Sequence, residues 1–323
     1  MITGSAHPDV PLGLLELGPS LGAGGQGSVF KVLNRPREVF KSYYRPVSYP
    51  DTLTMLVNFP DSLDAADHDS LLRQTAWPSA RVVKHRQVVG FLMKEVPAQF
   101  FGQTLAGPKL RELQYLLYPP KPLWGEMVPL DTEGRLEVVQ AFVALVRILH
   151  EHSLVIGDIS QRNLLWCPGF PAQICLIDCD SPTRVGTPSA LPHTHTPDWH
   201  DPHMPATGPD LDTDRYKVAL VVGRVLSANA YASPDRPWAP LPDIPEKISD
   251  HVQKCFAAAG GPYGSRPDAA EWARALRGRG TRPLGPLPPV RQQPKPLRMA
   301  ELDGRRERRK ISLPPPDKSS DQS

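Results

Sequence analysis

Asp158 and Asn163 stand five positions apart in GDISQRN, and fifteen residues beyond Asn163 the apolar run CLI ends at Asp178. Carboxylates and a carboxamide are the hard oxygen donors that Mg²⁺ accepts, and a carboxylate on a loop can also take a proton from an attacking hydroxyl. Far upstream, LGAGGQGSVFKV (residues 21–32) sets Gly22, Gly24 and Gly27 at the spacing G-x-G-x-x-G, with Val29 just after, and REVFKSYY carries Lys41 on an apolar run. Backbone N–H groups of a glycine turn and a lysine ammonium both bind phosphate oxygens. Phosphoryl transfer needs these parts together: metal ions across the phosphates, a carboxylate to receive the nucleophile's proton, and a cation on the phosphate oxygens.

The glycine spacing alone is a weak signal, because hairpins also need residues tolerant of positive φ and the chain holds 24 glycines. The residues after the glycines decide between two phosphate-binding arrangements. A dinucleotide site runs strand, turn, helix, whereas here SVFKVL alternates as a strand and REVFKSYY reads as another. The order is therefore strand, glycine turn, strand, and a third strand bearing Lys41.

Patterning predicts the elements able to position these groups. RVVKHRQVVGFLMKEV predicts a hairpin with its turn at residues 84–87, and PDTLTMLVNF predicts a short helix from Pro50 or Asp51. After Val96 the character turns helical: LRELQYLL is one candidate. DTEGRLEVVQAFVALVRILHEH is the strongest, with Leu136, Val139, Val143, Val146 and Leu149 on one face and Thr132 as cap. TDRYKVALVVGRVL and RPDAAEWARAL predict later helices, Thr213 and Asp214 opening the first.

With those motifs in order, residues 18–277 resemble a protein-kinase-like domain. LHEHSLVIGDISQRN is similar to the catalytic segment ending in H-R-D-x-x-x-x-N, and IDCD to the metal-binding D-F-G. TAWPSARVV, VGFLMKEV, GDISQRNLL and LIDCDS resemble, more narrowly, bacterial kinase-like proteins found beside phosphatases and von Willebrand A domains. The resemblance implies an α+β, two-lobe protein-kinase-like fold: lead-in 1–17, nucleotide-binding N-lobe 18–96, helical C-lobe 97–278 and a disordered basic, Pro-rich C-terminal tail 279–323.

It also implies roles. Gly22, Gly24 and Gly27 would cover the ATP phosphates, Val29 would line the nucleotide site, and Lys41 would bind the α- and β-phosphates. Lys94, Glu95 and Val96, after the gatekeeper Met93, would offer backbone groups to adenine. Asp158 would be the catalytic base, Arg162 a cation near the γ-phosphate, and Asn163 and Asp178 the Mg²⁺ ligands. Asp214 would brace the catalytic loop, an alternative to its capping a helix, and Arg266 would be the late structural arginine. The implied activity is ATP- and Mg²⁺-dependent transfer to a protein hydroxyl, Ser or Thr ahead of Tyr, with a phosphatase or von Willebrand A domain protein as partner. A nucleotide-binding pseudokinase scaffold and a small-molecule phosphotransferase, which GD in place of RD also resembles, are the other readings.

Four departures bear on that activity. No glutamate lies between Lys41 and Phe91, so the usual partner of the lysine is missing and Asp51 is the nearest substitute. Ile156 and Gly157 stand for His and Arg before Asp158, which removes the arginine that would receive an activation-loop phosphate. Cys179 and Asp180 stand for Phe and Gly after Asp178, and Ser160 for a lysine.

Composition excludes other classes. Four cysteines (Cys167, Cys175, Cys179 and Cys255) lack paired spacing, which fits a reducing cytoplasm, and no apolar run suits a membrane span. His193, His195, His200 and His203 lie in a Pro- and Thr-rich segment with nothing to fix them as a metal site. The net charge of +3 is uneven: residues 279–323 hold 11 Lys or Arg against 5 Asp or Glu, so a nucleic-acid partner would act through that tail alone. The tail is too poor in apolar residues to pack. Deleting residues 279–323 is expected to leave Tm within about 2 °C of the full chain by scanning calorimetry, while weakening salt-sensitive binding to polyanions.

Overall fold

The computed structural model describes residues 9–190 and 196–279, all within one compact unit, Met1–Thr281. The basic tail from 280 onward, His193 and His195 lie outside the described residues.

A six-stranded sheet dominates the N-terminal part. Its strands are β1 (Val10–Pro11), β2 (Leu17–Ala23), β3 (Gly27–Val32), β4 (Glu38–Tyr43), β5 (Pro78–Lys84) and β6 (Gln87–Lys94), in the order β1-β5-β6-β4-β3-β2. β1 runs parallel to β5 and every other neighbour is antiparallel. The hairpin predicted around residues 84–87 is present. His85 and Arg86 fill its turn at φ 50° and 65°, the backbone twist that a two-residue hairpin loop demands even of non-glycine residues.

Strand alternation gives the sheet two working faces. Phe40, Val32, Val82 and Leu92 pack with Val10 and Leu15 on one. Val39, Tyr43, Phe91 and Met93 join the main core on the other, the face that also carries Lys41. Between β4 and β5 lie α1 (Pro50–Asn58), as predicted, and α2 (Ala65–Gln74), which is not among the predicted elements. Asp64 caps α2, its Oδ1 accepting the amides of Ala66 and Asp67.

The helical part begins later than predicted. Residues after Val96 first form a hairpin, β7 (Phe101–Thr104) with β8 (Gly107–Leu110), and LRELQYLL shrinks to the single turn α3 (Gln114–Leu117). Gly107 at φ 97° makes the tight connection. The long helix α4 (Thr132–Glu151) is capped by Asp131, not by Thr132, through the Gly134 amide. Its inward stripe of Val139, Phe142, Val143, Val146 and Leu149 is fully buried. Then come β9 (Leu154–Val155), β10 (Leu164–Cys167), β11 (Gln173–Leu176) and β12 (Thr183–Arg184). β10 pairs with β11, and β12 with β9, so the loops between them converge.

Helices α5 (Leu211–Ser227), α6 (Glu246–Ala259) and α7 (Ala269–Ala275) complete the part; α6 is not among the predicted elements. Asp210 caps α5, three residues before the predicted opening. α7 opens with a capping box of Asp268 and Glu271. Arg266, just ahead of it, is buried and bonds both oxygens of Asp201. All four cysteines are buried and unpaired, and no described helix is long and apolar enough to cross a membrane.

The layout is mixed α+β, sheet-rich then helical, in the two-lobe arrangement of a kinase-like fold, with one apolar core running from β4 and α1 into α4 and α5. Gly90 is what allows β6 to lie against β4: a Cβ there would sit 2.0 Å from the Lys41 carbonyl oxygen. Gly90→Ala is expected to cost about 2 kcal/mol or more in urea unfolding, whereas Gly13→Ala, with open space around it, should be near neutral.

Candidate active site

The glycines of the β2–β3 hairpin differ in what they do. Gly27 is required by packing, since a Cβ would lie 2.3 Å from the Ser42 carbonyl oxygen of β4. Gly22 has nothing within 4 Å of a Cβ position, and Gly24 only the Gly27 carbonyl at 4.0 Å. None of the three has positive φ, so turn geometry does not explain them. Val29 is half-buried, paired with Gly22 across the hairpin and with Lys41 across β3–β4.

Lys41 crosses from the sheet to the loop after β11. Its Nζ donates to Asp180 Oδ1 at 2.8 Å and to Asp178 Oδ1 at 3.3 Å, and its side chain is 6% exposed. Burial alone would lower the lysine's pKa, but Asp180 and then Asp178 outweigh it and hold the ammonium above its ordinary value. Asp180 is equally buried, and Tyr43 donates its hydroxyl to Oδ2 at 2.9 Å. Asp51, the predicted substitute for the lysine's partner, is exposed at the start of α1. The lysine takes its carboxylates from residues 178 and 180 instead.

Asp178 is 47% exposed and holds φ 57°, a left-handed conformation that aspartate tolerates better than most residues. Cys179 beside it points into the main core and bonds the Leu176 carbonyl, and burial pushes its thiol well up. Such a thiol is a packing group, not a reactive one.

Asp158 lies on the loop between β9 and β10. Asn163 Nδ2 donates to Asp158 Oδ2 at 2.8 Å and to its carbonyl at 2.9 Å. The Ile177 amide bonds the Asn163 carbonyl at 2.8 Å, so the Asp158–Asn163 loop and Asp178 share one backbone junction. Arg162 is exposed; burial raises the Glu112 pKa against the pull of Arg162 and Lys109. Lys94 ends β6, and the Glu95 amide is committed to the Arg37 carbonyl at 2.8 Å. Val96 packs with Phe100 and Leu165.

A buried clamp fixes the loop from below. Asp214, fully buried one turn into α5, accepts the amides of Ile156 (2.6 Å) and Gly157 (2.9 Å) and contacts His150 Nε2 at 3.1 Å. Lys217, one turn on, donates to the Gly157 carbonyl. Burial lowers the Lys217 pKa, against the pull of Asp214 and Asp158. Both polar groups of Gly157 are thus held, and its φ of 77° is one that glycine adopts freely. Asp214 braces and does not cap. Lys217 and Asp180 are site residues that sequence reasoning misses, although Lys41 and Tyr43 two apart on a strand, and Asp178 and Asp180 two apart on a loop, are visible there.

Among the described residues no three His, Cys, Asp or Glu side chains cluster as a metal site, including around His200 and His203. The pair Asn163 and Asp178 still suits Mg²⁺. Both offer oxygen, the Asn163 nitrogen is turned to Asp158, and Mg²⁺ is ordinarily held by one or two protein oxygens with phosphate and water completing its shell.

A two-lobe kinase-like fold in which a sheet lysine bonds an aspartate whose neighbour is tied to an aspartate–asparagine loop is the class defined here, and comparison with known proteins agrees. Protein kinase YegI of Escherichia coli strain K12 is 25% identical over 314 aligned residues, covering 81% of this chain and 44% of that protein. Protein kinase YegI of E. coli O157:H7 is 27% identical over 168 residues, 51% of this chain and 23% of that protein. The chain is therefore a distant relative of a bacterial protein-kinase-like protein, and it spans less than half the length of the curated relatives it matches. No family model matches it.

The clamp makes a stability prediction. Asp214→Ala strands two buried amides and should cost about 3 kcal/mol in urea unfolding, and Gly157→Ala about 1 to 2 kcal/mol from its backbone conformation.

Proposed function

We propose that the protein binds ATP with Mg²⁺ and transfers a phosphoryl group to a protein hydroxyl, serine or threonine ahead of tyrosine. The observation that carries this reading is the chain of contacts that links Lys41 to Asp178, and the backbone beside Asp178, through the Ile177 amide, to the Asp158–Asn163 pair. The kinase names of the relatives support it at the level of the reaction class.

In this reading the open space beside Gly22 and Gly24 receives the phosphates, and since the Gly24 amide already bonds the Gly27 carbonyl at 2.8 Å, the phosphates meet other backbone N–H groups of the turn. Lys41, held charged by its carboxylates, binds the α- and β-phosphate oxygens. The backbone of Lys94, Glu95 and Val96, following the buried Met93, serves adenine with the groups left to it once the Glu95 amide is bonded to the Arg37 carbonyl. Asp178 and the side-chain oxygen of Asn163 would hold Mg²⁺, which would draw charge from the phosphates. Asp158 Oδ2, oriented by Asn163 Nδ2, accepts the proton of the acceptor hydroxyl. Arg162, exposed on the same loop, contributes positive charge to the approach of the γ-phosphate or the substrate.

The test is direct. Millimolar Mg²⁺-ATP should raise Tm, a ligand at ~100 times its Kd adding about 2.7 kcal/mol. Asp158→Asn should cut transfer of labelled phosphate at least ~100-fold while leaving nucleotide binding nearly intact, and Lys41→Met should damage both. Absence of any Mg²⁺-ATP stabilisation would end the reading.

A further inference from the structure

The residue that orients Lys41 is set by what its Nζ touches. No glutamate is available between Lys41 and Phe91, and Asp51 faces solvent at the head of α1. Two carboxylates reach the ammonium, and they are not equivalent. Asp178 is 47% exposed and 3.3 Å away, so much of its surface is free to face a ligand. Asp180 is 2% exposed and 2.8 Å away, and its second oxygen is taken by the Tyr43 hydroxyl at 2.9 Å. Lys41 and Tyr43 project from the same face of β4, so the strand grips Asp180 at both oxygens.

We propose that Asp180 is the positioning residue for Lys41, doing from the loop after β11 what a helix glutamate does elsewhere, with Tyr43 fixing its carboxylate. The assignment rests on reading Lys41 as the ligand of the nucleotide phosphates. With both oxygens occupied by Lys41 and Tyr43, Asp180 leaves metal binding to Asp178 and Asn163. The two carboxylates divide the work: Asp178 faces the ligand, and Asp180 holds the lysine in place for it. Alignment of the lysine then comes from one strand and one loop, and nucleotide binding needs no partner to swing α1 into place.

A double-mutant cycle tests this in the full chain. Mg²⁺-ATP affinity would be measured by calorimetric titration for Asp180→Asn and Lys41→Met, singly and combined, beside the melting of each protein without nucleotide. Asp180→Asn should weaken binding about tenfold in the native background and less than about twofold once Lys41 is Met, because a residue acting through the lysine has nothing left to act on. Tyr43→Phe should weaken it about threefold and likewise lose its effect in the Lys41→Met background. An equal loss in both backgrounds would overturn the proposal, since Asp180 would then act directly on metal or nucleotide. If the native protein binds no Mg²⁺-ATP, the nucleotide reading fails instead, and the melts judge the pair. Less than additive losses of Tm support the coupling, and additive losses overturn it. Should Asp180→Asn fail to fold, the Tyr43→Phe cycle gives the same decision.

Discussion

A lysine ammonium buried against a strand must find negative charge or lose its own, and in this protein that requirement ties the two parts of the molecule together. Desolvating an ion costs several kcal/mol, which good geometry and full hydrogen bonding can offset. Lys41 reaches two carboxylates from a loop more than a hundred residues later in the chain, and one of them is capped by a tyrosine from the lysine's own strand. Neither β4 nor the loop after β11 can shift far without leaving a buried charge alone. The sheet face bearing Val39, Tyr43, Phe91 and Met93 is thereby set against the core of α4 and α5 at a fixed position.

The loop that carries Asp158 is held by a second, separate device. Asp214 and Lys217 project one turn apart from α5, one accepting from and one donating to the same peptide segment, so the backbone before Asp158 is pinned at amide and carbonyl alike. Glycine at 157 satisfies the backbone angle this requires. It also leaves no cation at this position, and the hold on the loop comes from Asp214 and Lys217. The Asn163 side chain then turns the carboxylate of Asp158, and its carbonyl receives Ile177, linking this loop to the residues around Asp178.

Much of this arrangement is legible in the sequence because local signals and the global fold agree. The strand alternation around Lys41, the hairpin near residues 84–87 and the stripe of α4 each depend on near neighbours, and all are present in the fold. The cap of α4 is harder to read because two suitable residues stand side by side: Asp131 and Thr132 both suit an N-cap, and only the backbone selects between them. The hairpin β7–β8 escapes sequence reading because FGQTLAGPKL carries little alternation and β7 is held in tertiary context against Met127 and the turn at residues 122–124. The partner of Lys41 escapes for a different reason. It is a contact across 139 residues, and the residue supplying it stands where the resemblance leads one to look for a glycine and its loss, not for a replacement carboxylate.

That long contact also explains how α1 can be placed as it is. On one side, polar ties of α1 and the residues just ahead of it run to the segment after β12. Thr52 donates to the Pro188 carbonyl at 2.9 Å, and the Ser48 and Tyr49 amides meet the Ala190 carbonyl. On its other side the helix is held by Trp77, whose indole N–H bonds the Leu56 carbonyl, and by Arg81, which bonds Thr54. None of these bonds involves Lys41 or Asp180. Two anchoring systems therefore stand side by side, one fixing the lysine through the loop after β11 and one fixing α1 through residues 188–190. A rearrangement of the segment after β12 would pull first on α1, while the lysine kept the strand and carboxylate that hold it.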